Sequence, residues 1–131
     1  AAYANTGVWA KKAIAEGKRF GETYEACTSA DKNHSYIPQE LTIKPDTAYL
    51  HITANNTIYG TQWQDFPDVS VPVICDMSSD ILSRPVDVKN FSLIYAGAQK
   101  NLGPAGVVIV IVKKAFLETA RADAELPKLR G

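Results

Sequence analysis

The chain has 131 residues, the length of one ordinary domain, with 46% hydrophobic residues, 21% charged residues and no net charge. This composition reads as globular rather than disordered, fibrous or membrane-embedded. The charge balance implies no broad attraction to nucleic acid or to an anionic membrane.

Thr6 is placed to cap a helix whose apolar positions Val8, Trp9, Ile14 and Phe20 lie roughly along one face, with Gly17 and Gly21 marking its end. A strand near Tyr24–Cys27 follows, then a polar loop from Asp31 to Ser35 in which His34 is expected to be exposed. Pro38 and Pro45 exclude a long helix in the next stretch. Four strands are then predicted over Tyr49–Thr53, Val71–Cys75, Ser92–Tyr95 and Val107–Val112, with a helix from Ala115 to Ala122. Val107–Val112 is the longest apolar run, far too short to cross a bilayer, and the N-terminus lacks the charged-then-apolar order of a signal peptide. The two cysteines, Cys27 and Cys75, have no zinc-ligand spacing, so no metal is expected and free thiols in a reducing cytoplasm are.

The fold class expected is α/β with a mostly parallel sheet. The links between strands are too short for each to carry a crossover helix, so the sheet reads as part of a larger one. Strand 107–112 starts only a few residues after the preceding loop. It should therefore run antiparallel to the strand of Ser92–Tyr95, with its β-branched residues buried and the Ala115 helix leaving from the opposite edge.

Ligands of open α/β sheets gather outside the carboxyl ends of the strands. Three successive strands deliver Thr57, Asp76 and Lys100 at or past that end. A buried lysine amine whose surroundings favour its neutral form attacks an aldehyde to make a Schiff base. A carboxylate pairs with a protonated pyridine nitrogen, and that ring then serves as an electron sink. Taken singly, an Asp after a strand such as Asp76 is more often a turn or helix cap, and a loop lysine such as Lys100 is usually just exposed.

The string IYAGAQKNLGPAG from Ile94 to Gly106 resembles the cofactor-lysine signature of the phosphoserine aminotransferase family. ICDMSSDILSRPVDV, from Ile74 to Val88, resembles its aspartate segment, AYANTGVWAKKAI its tryptophan segment, and YLHITANNTIYGTQW its threonine segment. The resemblance implies a fold-type-I, class V enzyme that uses pyridoxal 5'-phosphate (PLP) and works as a cytoplasmic homodimer. Its implied reaction moves an amino group from L-glutamate to 3-phosphohydroxypyruvate, giving O-phospho-L-serine and 2-oxoglutarate in serine biosynthesis and, in bacteria, serving pyridoxine biosynthesis. By matching motif, Lys100 would carry the Schiff base, Asp76 would bind the pyridine nitrogen, and Trp9 would stack on the ring. Thr57 would contact the cofactor and Gln99 would help hold its phosphate, while Gly97, Gly103 and Gly106 would allow close backbone approach.

The residues 1–131 would form part of the large cofactor domain, without the family's phosphate-loop segment before Ala1 and without its C-terminal small domain; alone the piece is expected to be inactive. Tyr59 stands where the family usually has an acidic residue. His51, mid-strand, and Arg84 read as structural. Two alternatives remain open at this point: another class V enzyme, such as an alanine–glyoxylate aminotransferase or a cysteine desulfurase, and a binding or structural remnant without catalysis.

Overall fold

The computed structural model describes residues 1–120. Its elements are β1 (Ala2–Asn5), α1 (Val8–Gly17), β2 (Tyr24–Thr28), β3 (Leu50–Thr53), β4 (Asn55–Asn56), β5 (Thr61–Gln62), β6 (Val73–Asp76), β7 (Leu93–Gly97), β8 (Val108–Val112) and α2 (Lys114–Leu117). Six strands make one sheet in the order β2-β1-β3-β6-β7-β8. Five of them are parallel, and β8 pairs antiparallel with β7. The expected topology is therefore observed, with β8 directly beside β7. Because β8 runs backwards, α2 leaves from the edge opposite the one where β7 ends.

Among the described residues, only the β1–β2 link carries an α-helix. The others are built from turns, 3-10 segments and the small β4–β5 hairpin. Alternation along the strands separates two faces. Leu50, Ile52, Val73, Cys75 and Ile94 point into the apolar core, where Trp63, Phe91 and Met77 from the connecting loops pack against them. Phe66 and Phe91 meet edge to face at 4.8 Å. Burying each large aliphatic side chain here contributes on the order of 2 kcal/mol. His51 and Tyr95 sit on the other face.

Several expectations are corrected. Strand β1 was hidden in the sequence by its small residues, Ala2 and Ala4; all four of its residues are buried because β1 lies between β2 and β3. Thr6 does not cap α1. Its hydroxyl accepts from Asn56 Nδ2 at 2.9 Å, and Gly7 takes the cap position. A Cβ at Gly7 would come within 2.8 Å of Asn56 Cβ, so the close approach requires glycine. Helix α1 ends at Gly17 and buries Ala10 and Ile14, while Phe20 lies beyond it and is exposed. His34 is buried rather than exposed: its amide bonds Ser29 O at 2.8 Å and its ring packs on Tyr59 at 5.0 Å. The positive φ of Asn33 and His34 turns the chain back to make that contact.

Val108 to Ile111 of β8 are exposed rather than buried, and Val112 is half-buried, because β8 is the edge strand of the described sheet. The expected terminal helix is short, and Arg121 and Ala122 lie outside the described residues. No helix of the described residues is long and apolar enough to cross a membrane. Cys27 and Cys75 are both free thiols, and burial pushes Cys27 up to about 11.

Candidate active site

Each parallel strand except the edge strand β2 hands its chain to the same cleft. Trp9 comes from the first turn of α1 after β1; Thr53 ends β3, Asn55 opens β4 and Thr57 follows β4. Asp76 ends β6, Ser78 and Ser79 follow it, and Gln99 and Lys100 follow β7. All five residues singled out in the sequence, Trp9, Thr57, Asp76, Gln99 and Lys100, line this cleft, whose cavity volume is about 120 Å³.

Local contacts fix the walls. The Trp9 Nε1–H donates to Thr57 Oγ1 at 3.4 Å, and the Lys12 ammonium lies 4.4 Å from the centroid of the indole. Trp9 is thus a half-exposed wall of the cleft rather than a core residue. Asp76 Oδ1 accepts from the Ser78 amide at 2.9 Å and from the Ser78 hydroxyl at 2.7 Å. The lysine loop is a tight turn: the amides of Leu102 and Gly103 both bond Ala98 O, and Ala98 N bonds Val107 O to close the loop. Asn101 Nδ2 donates to Ile81 O at 2.9 Å, tying the loop to the segment after Asp76. Gly106 adopts φ 89, which requires its lack of a side chain, and Gly97 leaves room for Gln99. Gly103 has open space around its Cα and makes no close approach. Lys100 lines the cleft but is exposed rather than buried, which corrects the buried amine expected from the sequence.

Four lining residues were not singled out in the sequence: Thr53, Asn55, Ser78 and Ser79. Their signal was position, since each stands at or just past the end of a strand. Thr53 is the most telling, because its buried hydroxyl has no hydrogen-bond partner among the described residues. An orphaned hydroxyl of this kind marks a place for a polar ligand group. His51 and Arg84 lie outside the cleft lining. His51 is a buried strand residue, and Arg84 is structural, donating to the carbonyls of Trp63 and Gln64 and to Asp80 Oδ2.

The Aminotransferase class-V family model matches residues 2–124. The chain belongs to the class-V aminotransferases. Within that family it is 59% identical over 129 residues to the phosphoserine aminotransferase of Desulfosudis oleivorans, a match covering 97% of this chain and 35% of that protein. A phosphoserine aminotransferase structure determined to study radiation damage of its Schiff base superposes with a TM-score of 0.90 at 52% identity, over 94% of this chain and 35% of that one. The PLP-bound phosphoserine aminotransferase of Trichomonas vaginalis gives a TM-score of 0.81 at 39% identity, over 89% and 34% of the two chains. This class-V chain therefore spans about a third of the length of the relatives it matches.

Proposed function

We propose that this chain is part of the large, cofactor-binding domain of a PLP-dependent phosphoserine aminotransferase. The full-length protein would move an amino group from L-glutamate to 3-phosphohydroxypyruvate, giving O-phospho-L-serine and 2-oxoglutarate for serine biosynthesis and, in bacteria, serving pyridoxine biosynthesis. It would act as a homodimer in the cytoplasm. The family's phosphate-loop segment and small domain would lie outside residues 1–131, so this piece alone would be inactive.

One observation carries the reading: an indole, a carboxylate, an amide, an amine and several hydroxyls converge on a single cleft at the carboxyl ends of parallel strands. That donor set fits PLP, and the unpartnered Thr53 hydroxyl leaves a polar position open to it. PLP, when bound, supplies an aldehyde carbon that takes amines and a pyridine ring that accepts electron density. Lys100 would anchor it through its amine and carry a proton to and from the substrate's α-carbon. Asp76, held by Ser78, would pair with the ring nitrogen. Trp9 would cover the ring, Thr57 would donate a hydrogen bond and Gln99 would help hold the phosphate.

Borohydride reduction of the full-length protein with PLP should fix the cofactor on Lys100 as a stable amine, read by peptide mapping. Label found on Lys113 or Lys114 instead would remove Lys100 from this role.

A further inference from the structure

We propose that His51 and Tyr95 are positioning residues for Asp76: the Tyr95 hydroxyl donates to the Asp76 carboxylate while accepting from His51 Nε2–H, which locks the carboxylate's orientation in the cleft. The inference rests on the reading of Asp76 as the partner of the cofactor's ring nitrogen.

The sheet sets the geometry. Asp76 stands in register between Thr53 on β3 and Tyr95 on β7. His51 is one row back on the same face of β3, two residues from Thr53. Its Nε2 lies 2.9 Å from the Tyr95 hydroxyl, and the imidazole is held among rings, 5.2 Å from that of Tyr3 and 5.9 Å from that of Tyr95. With 6% of its surface exposed, His51 has little room to turn.

The direction of the chain of hydrogen bonds follows from its ends. Burial lowers the His51 pKa to about 4, so at neutral pH one ring nitrogen carries a hydrogen and the other does not. Nδ1 has no partner among the described residues. A hydrogen there would be a buried orphan donor, whereas a hydrogen on Nε2 is used by Tyr95. The Tyr95 oxygen then accepts, and its own hydrogen must find an acceptor. Burial first, and the neighbouring Asp76 charge second, raise the Tyr95 phenol far above its ordinary pKa, so it stays a protonated donor. The carboxylate beside it is an acceptor only. Ser78 grips Asp76 Oδ1 from the following turn, and Tyr95 would grip the group from the adjacent strand. Held from two directions, the carboxylate cannot swing away from the cleft.

The test is a double-mutant cycle on PLP affinity in the full-length protein, measured by equilibrium dialysis, with thermal melts to check folding. Tyr95→Phe should weaken PLP binding about tenfold, the worth of a hydrogen bond to a charged group, and should have no further effect in an Asp76→Asn background. An equal loss in both backgrounds would overturn the inference and leave the role of Asp76 intact. Unchanged affinity in Asp76→Asn alone would overturn that role, and this inference with it. If Tyr95→Phe does not fold, His51 completes the cycle. His51→Leu should lose affinity and His51→Gln, which keeps an N–H donor, should recover most of it. Equal losses in the Leu and Gln variants would also overturn the inference.

Discussion

The Ser78 hydroxyl donates to Asp76 Oδ1 across 2.7 Å. Ser78 Oγ in turn accepts from the Gly97 amide at 3.0 Å, so one small side chain joins the carboxylate at the end of β6 to the strand that leads into Lys100. Removing it in Ser78→Ala leaves the Gly97 N–H without this acceptor and Oδ1 with only the backbone donor. A lost bond to a charged group is worth about 1.5–3 kcal/mol, and in the full-length protein we expect the proposed half-reaction with L-glutamate to slow about ten- to a hundredfold, followed by stopped-flow absorbance. An unchanged rate would mean the tie has no part in the reaction.

Asp76→Asn keeps the shape of the side chain and removes its charge. On the proposed pairing with the ring nitrogen, the full-length protein should lose on the order of 3 kcal/mol of transition-state stabilisation, roughly a hundredfold in rate. The same stopped-flow measurement decides it. A near-normal rate would exclude Asp76 as the ring's partner.

Arg84→Met should destabilise the fold without touching the cleft. Asp80 is fully buried, and Arg84 is its cation, with the guanidinium Nη2 3.1 Å from Oδ2 and the group stacked 5.1 Å from the Phe66 ring. Among the described residues, the substitution leaves Asp80 with only the Gln62 and Ser83 donors. Stranding a buried carboxylate in this way costs about 3 kcal/mol, which urea unfolding should show as a lower midpoint. An unmoved midpoint would show that the neutral donors suffice.

His51 should make the fold acid-sensitive. Its pKa falls from 6.5 to about 4 on burial, so the unfolded chain binds a proton that the folded chain refuses across that window. Stability is therefore complete above pH 6.5, declines as the pH drops toward 4, and loses up to about 3 kcal/mol from this group. Comparing urea midpoints at pH 7 and 4.5, His51→Gln should lose less than the parent protein. Equal losses would assign the acid sensitivity to other groups.

Much of the site was legible because it is written locally. Asp76 ends one apolar strand and Lys100 stands just after another, and the β7–β8 loop is too short for a crossover, which dictates an antiparallel partner whatever else the chain does. The parallel order of β3, β6 and β7 then carries the residues after them to one edge.

What the sequence could not decide was which neighbour each side chain would meet. Thr6 has the chemistry of a helix cap, yet Asn56, fifty residues away, takes its hydroxyl. His34 stands in a polar stretch, yet Tyr59 covers it. The valines and isoleucines of β8 have the pattern of a buried strand and are exposed from Val108 to Ile111, because burial depends on what packs against a strand and not on the strand itself. His51 and Tyr95 are separated by 44 residues, and only the pairing of β3, β6 and β7 brings them to 2.9 Å. Strand ends and loop lengths are properties of the local chain and were decided by sequence alone. Partners are properties of the packed sheet, set by register and crossover, and so belong to the tertiary structure.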